Sequence, residues 1–343
     1  RKPRCLPPRR SLMAMGGALL SGIVRWRVGP TLTTAPAEWV PMEEAFWYTA
    51  GLVRQSAVSL ALQPTDAAES VATAETPATG TEVQPATPTE SAEPLAVGAS
   101  LVIDDALEMR VAIARNAPTL QVGASSQGWL VDLNGQQRCE IPAQSSLSAT
   151  PTGQGLSFNG CQLSTAVWLE AAAGGYLYIG DSWFKGRVLL LNDGGTVLAV
   201  NFVLLRDYLS SVVGSEMYPH WPLEALKAQA IAARSYALTH HVRPASDHFD
   251  LDNTQRYQAY KGVAVETTNT QIAVAATGGE FISYQGGIVE SLYAASDQIV
   301  QEAHGGQGMS QTGAKDYAVQ GYTYEQILGA YYPGTTLSRL VVQ

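Results

Sequence analysis

The sequence predicts an α+β fold, with a β-rich N-terminal half followed by a mixed region of helices and hairpins. Three observations predict it. Short runs of strand composition recur between Gly and Asn turns up to about residue 206. One long helical pattern begins near Pro222. Further hairpin and helix signals follow it without regular alternation, which argues against a doubly wound parallel sheet.

Composition bounds the function. The formal net charge is −9, from 21 Lys+Arg against 30 Asp+Glu. A non-specific hold on nucleic acid through phosphate neutralisation is excluded, and no nucleic-acid partner is expected. A chain of 343 residues with 46% hydrophobic content can bury one large core or two small ones. Of the three cysteines, Cys139 and Cys161 bracket a segment rich in Ser, Gly and Thr. They either close that loop as a disulfide, contributing on the order of 3 kcal/mol, or remain two buried thiols. Cys5 has no evident partner.

The N-terminal third reads as three segments. Arg1, Lys2, Arg4, Arg9 and Arg10 precede an apolar stretch over residues 12–24, the shape of a secretory n-region and h-region. That stretch falls short of the ~20 residues that span a bilayer, and Arg25 and Arg27 make poor cleavage flanks. Residues 1–30 are therefore expected to be an export signal or a membrane anchor, and the protein to be exported to the periplasm or cell wall. Residues 31–62 are apolar with no evident role. Residues 63–100 are mostly Ala, Thr, Pro, Glu and Ser, which bury too little apolar surface to offset ordering entropy, and a disordered linker is expected.

A β-rich subdomain is expected over 101–206, with strands at 109–113, 128–133, 176–179 and 188–191. Asn192-Asp193-Gly194-Gly195 before residues 197–205 reads as a hairpin, Asp-Gly supplying the positive φ that a tight turn needs. A second region is expected over 207–343. Pro222 has its φ preset for a first helical turn, and Glu224 sits near the positive dipole end, so a helix is expected from Pro222 to about His241. Leu223, Leu226, Ala230, Ala233 and Ala237 form one apolar stripe facing the core. Lys227 and Arg234 are two turns apart on one side and are expected to face one ligand, with Gln229 on a different flank. Adjacent His240 and His241 read as surface residues. Residues 281–284, a Gln285-Gly286-Gly287 turn and residues 288–293 read as a hairpin, and a last helix runs from 324 to about 330, before Pro333.

Five ordered blocks carry a resemblance. Ser215-Glu216-Met217 stands before a helix reading Glu-Ala-Leu-Lys-Ala-Gln-Ala, and Gln258-Ala259-Tyr260-Lys261-Gly262 follows it. Ala276-Thr277-Gly278-Gly279, Gly308-Met309-Ser310-Gln311-Thr312-Gly313-Ala314 and Tyr331-Tyr332-Pro333-Gly334-Thr335 complete the set. The chain resembles the SpoIID/LytB family, clearly from about residue 207 to 340 and faintly from about 106 to 206. Members of that family cleave bacterial peptidoglycan or help other enzymes to do so.

The resemblance implies Glu216 as catalytic acid and base. A carboxyl protonates a leaving glycosidic oxygen near neutral pH if desolvation raises its pKa, and Met217, Tyr218 and Trp221 offer such a setting. In a lytic transglycosylase one carboxyl suffices, because the sugar's own 6-hydroxyl attacks and leaves a 1,6-anhydro ring. A hydrolase needs a second carboxylate, for which Asp250 or Asp252 are the nearest candidates. Lys227, Arg234, Gln258, Tyr260, Ser310 and Gln311 are expected to bind substrate, with Tyr260 and Trp221 stacking on sugar faces. The side-chain-poor Gly305–Gly308 loop lets a ligand approach the backbone but lacks P-loop or dinucleotide spacing. Neither cofactor nor metal is expected. Some family members have a His and two Cys suited to zinc, whereas here His248 is kept and Asp252 and Tyr257 stand in the thiolate positions. The implied partners are peptidoglycan glycan strands and, in the alternative role of non-catalytic enhancer, an N-acetylmuramoyl-L-alanine amidase. A shortened 297–307 region, with His304 offset by one position, is where the chain departs from the family pattern.

Overall fold

The computed structural model describes residues 101–342 and the backbone of 60–64. The export segment and nearly all of the Ala/Thr/Pro/Glu linker expected above lie outside the described residues. The expected α+β class is observed: in the described residues strands predominate from Glu108 to Leu204, and helices dominate after it.

The β-rich part is built from two mainly antiparallel sheets. Six strands run in the order Ser182–Phe184, Leu177–Ile179, Leu120–Ala124, Ser145–Thr152, Gly155–Phe158, Cys161–Leu163. Seven run in the order Leu251–Asp252, Glu108–Ala117, Thr196–Leu204, Arg187–Asp193, Ala166–Ala171, Gly128–Val131, Gln137–Ile141. The hairpin at 192–195 forms, but Asp193 pairs with Thr196 within the ladder. Gly194 (φ 58°) and Gly195 (φ 86°) make the turn, because two consecutive positive φ values suit two glycines best. Cys139 and Cys161 are joined as a disulfide.

Strand pairing and core packing are continuous across residue 206, the expected end of the β-rich subdomain. Leu251–Asp252 pairs in parallel with Val111 and Ala112, and one core runs from Val111, Val122 and Leu190 into Tyr208, Ile231 and Ile327. A further four-stranded sheet orders Leu60–Pro64, Thr336–Val342, Glu280–Tyr284 and Gly287–Ile288, so the boundary expected between residues 62 and 63 falls inside a strand. The 281–293 hairpin turns at Gln285-Gly286, and its second arm pairs over Gly287–Ile288, with Val289 N–H donating to Ile282 O at 2.9 Å.

Six α-helices follow: α1 (Leu205–Glu216), α2 (Leu223–Val242), α3 (Thr268–Ala276), α4 (Asp297–His304), α5 (Gln311–Val319) and α6 (Tyr324–Tyr331). The sequence reading found α2 and α6. Helix α1 was missed because Ser210, Ser211, Val212, Val213 and Gly214 are poor helix formers. Tertiary burial of Leu205, Tyr208, Leu209, Val212 and Val213, at helical spacing, overrides that preference. Helix α2 also differs from expectation. It is buried on all sides from Ala228 to Thr239 rather than along one stripe, its alanines letting neighbouring elements approach closely.

Candidate functional site

Glu216 closes α1. Its helix is held against the segment that follows α2 in two ways. Ser211 Oγ donates to Gly262 O at 2.8 Å. A Cβ on Gly214 would stand 2.1 Å from Val265 O, so only glycine permits the approach. Residues 258–261 then alternate inward and outward, Gln258 and Tyr260 buried, Ala259 and Lys261 turned out. The backbone N–H of Ala259 consequently donates to Glu216 Oε1 at 2.8 Å.

The second oxygen has a weaker partner. Gln311 Nε2 donates to Glu216 Oε2 at 3.3 Å and stands 3.5 Å from Gln229 Oε1. Ser310 fixes Gln311: it is the buried N-cap of α5, accepting from Gly313 N at 3.0 Å and donating to Asp297 Oδ2 at 3.1 Å. Burial pushes the Glu216 carboxyl above its ordinary range, opposed by the Ala259 N–H, the Gln311 amide and the Lys261 cation. The negative dipole end of α1 acts in the same direction as burial. Beside it the chain turns through Tyr218, 64% exposed, whose ring packs on His220 and Trp221.

Four of the expected binding residues are engaged by other parts of the protein. Arg234 does not face a ligand with Lys227: it is wholly buried, and its Nε and Nη2 hold the Asp104 carboxylate at 2.9 and 2.7 Å. Its Nη1 donates to Glu280 O at 2.9 Å. Since α2 is surrounded by protein, a cation at its centre must be paired there. Lys227 pairs with Glu224 at 2.7 Å and lies over the Tyr324 ring, while Glu224 accepts from Tyr324 N at 2.8 Å, tying α2 to α6. Tyr260 is no sugar platform, its ring packing on Phe184 and Tyr208 and its hydroxyl donating to Asn201 at 2.7 Å. Gln258 sits buried among Tyr208, Ala233 O and Tyr293.

The candidate second carboxylates are also committed. Asp250 is fully buried against Arg110 (2.6 Å) and His241 (2.9 Å), and Asp252 pairs with Arg115 at 3.2 Å and accepts from Thr254. His241 is therefore an inward partner and not a surface residue, and His240 packs against the Tyr236 and Tyr257 rings. Among the described residues no group of three or more His, Cys, Asp or Glu side chains is arranged to hold a metal. The 305–308 glycines are preceded by helix α4, which Ser296 caps and which Gly305 ends in the left-handed conformation. Sequence reasoning missed Gln229 and the Ala259 N–H. A lone amide inside an alanine-rich buried helix was the available signal for the first, and the alternation of 258–261 for the second.

Residues 193–284 match the SpoIID family model, described as Stage II sporulation protein. The match takes in α1, Glu216 and α2 and leaves Ser310 and Gln311 beyond its end. An uncharacterized protein of Brachyspira hyodysenteriae is 37% identical over 113 residues, 33% of this chain and 31% of that protein. The "Amidase enhancer" of Bacillus subtilis is 37% identical over 95 residues, 28% of this chain and 12% of that protein. "Stage II sporulation protein D" of Bacillus subtilis is 32% identical over 121 residues, 31% of this chain and 35% of that protein. The alignments thus span well under half of the length of each relative. Over residues 193–284 the chain is thus similar to the SpoIID family, and its relatives there include proteins named for amidase enhancement and for stage II of sporulation.

Proposed function

We propose that this protein is exported and cleaves peptidoglycan glycan strands as a single-carboxylate lytic transglycosylase. The observation that carries this reading is Glu216: a half-buried carboxyl held above its ordinary pKa by desolvation, firmly bonded on one oxygen and loosely on the other. Protonated Oε2 donates to the bridging oxygen as the bond to the anomeric carbon breaks. The resulting carboxylate then takes the proton of the sugar's 6-hydroxyl as that oxygen attacks the same carbon, and no water is consumed. The internal pairing of Asp250 and Asp252 supports a mechanism with one carboxyl rather than two. The test is incubation with peptide-stripped glycan strands and mass spectrometry for 1,6-anhydro ends. Absence of such ends, or their undiminished appearance with Glu216→Gln, refutes the reading.

A second reading is that of a wall-binding enhancer of an amidase. It is favoured by similarity to a relative named for that activity and by the compact α4 helix in the short 297–307 region. Under it, Glu216→Gln still stimulates a partner N-acetylmuramoyl-L-alanine amidase, and no variant yields anhydro ends.

A further inference from the structure

Gln229 is fully buried in the middle of α2, and its Nε2 finds no hydrogen-bond partner, although its Oε1 faces Gln311 Nε2 at 3.5 Å. Gln311 Nε2 also reaches Glu216 Oε2 at 3.3 Å. One amide N–H group thus stands between two acceptors, long for both, while a buried donor beside it is idle. Orphaned N–H groups are rarer in protein interiors than under-satisfied carbonyls. The two ends of a glutamine amide are close to isosteric, so turning both amides over exchanges donor for acceptor without changing shape. Gln229 Nε2 then donates to Gln311 Oε1. That same oxygen now meets Glu216 Oε2, which satisfies the contact only when it carries a proton.

We propose that Gln229 and Gln311 form an amide relay that favours the protonated, proton-donating form of Glu216. When Glu216 is ionised, Gln311 Nε2 donates to it. When Glu216 is protonated, its O–H donates to Gln311 Oε1, and Gln229 Nε2 completes that oxygen's second lone pair. No proton leaves either amide; only their orientation changes. The other groups facing Glu216 do not serve both states. Ala259 N–H is a fixed donor on Oε1, Lys261 favours the ionised form, and the Tyr208 and Tyr293 hydroxyls are held protonated, mainly by burial and partly by Glu216 itself. Gln229 and Gln311 are positioning residues. The inference rests on the acid–base reading of Glu216, but its test does not use turnover.

The experiment follows the Glu216 side-chain carboxyl by 13C NMR titration of the full chain, with Glu216→Gln assigning the signal. Gln229→Met keeps side-chain length and helix propensity while removing both hydrogen-bonding ends. The expected result is a titration midpoint lowered by about half to one unit, a ~3- to 10-fold loss of proton affinity. In a Gln311→Met background the same change shifts nothing further. An unmoved midpoint, or an equal fall in both backgrounds, overturns the relay. Should Gln229→Met not fold, the parent's Gln229 side-chain amide signals decide: they move through the Glu216 midpoint if the relay exists, and flat signals overturn it. A lowered midpoint without anhydro product in any variant upholds the relay and refutes the transglycosylase reading.

Discussion

Glu216 and Arg234 sit in the same family-matched stretch, yet the protein treats them in opposite ways. Around Arg234 the chain supplies everything the side chain needs: a carboxylate held at two of its nitrogens and backbone carbonyls for the rest, with no exposure at all. Around Glu216 it supplies one firm bond and one long one and leaves the carboxyl half-buried. A charge whose every bond is internal is part of the scaffold. A charge desolvated enough to shift its pKa, but left with a loosely held oxygen, is available for chemistry. Membership of a motif does not tell the two apart; the surroundings do.

The sharpest way to break this comparison is Glu216→Gln. If Glu216 is the acid and base, formation of anhydro ends falls by roughly 10²- to 10⁴-fold, while parent cleavage itself declines as pH rises through the raised pKa of Glu216. Stability should change in the other direction. A carboxyl with a raised pKa favours the fold fully below the ordinary glutamate range and loses that contribution as pH rises through its folded value. Gln at this position titrates nothing. The variant should therefore melt above the parent on the alkaline side of that window, and the gap should close at acid pH. A variant that melts below the parent at every pH would make Glu216 a structural acceptor, on the same side of the comparison as Arg234.

Arg234→Met tests the other side. Removing one partner of a buried pair leaves Asp104 uncompensated and should cost ~3–5 kcal/mol in urea denaturation. Asp104→Asn should do comparable damage, although residue 104 lies in a 3-10 turn outside the family match. An Arg234→Met protein as stable as the parent but inactive would return Arg234 to the site.

What the sequence made legible follows the same division. Local signals were readable: the Gly194-Gly195 hairpin, the Pro222 start of α2, and α6, whose Thr323 and Gln326 form a capping box. Glu216 and the Gln311 segment were readable through their blocks, and Gln311 does reach the Glu216 carboxyl. Whatever depends on distant chain was not. The seven-residue spacing of Lys227 and Arg234 puts both on one side of a helix, but nothing local says that Asp104 waits there. Helix α1 has a propensity too weak to announce itself, so Glu216 read only as standing before a helix when it is also the last residue of one. Tyr260 and Gln258 were read as ligands because sequence gives residue type and not depth; both are buried.

Lys227 is the smallest and most discriminating case, because it lies between the two environments. Its ammonium pairs with Glu224 at 2.7 Å and lies 5.5 Å from the centroid of the Tyr324 ring, with the side chain 19% exposed. A helix i,i+3 pair and a partly exposed cation–π contact together contribute about 0.5–1 kcal/mol. If Lys227 resembles Arg234, Lys227→Ala lowers the melting temperature by a few degrees at most and leaves KM and the pH profile of glycan cleavage unchanged. If it resembles Glu216, KM for glycan rises several-fold while the melting temperature holds. Glu224→Gln separates the two further. It breaks the ion pair yet keeps an acceptor for the Tyr324 N–H, so a scaffold role for Lys227 predicts the same small loss of stability from either variant. A rise in KM confined to Lys227→Ala would instead mean that the ammonium serves the substrate, and that the first turns of α2 belong to the binding site.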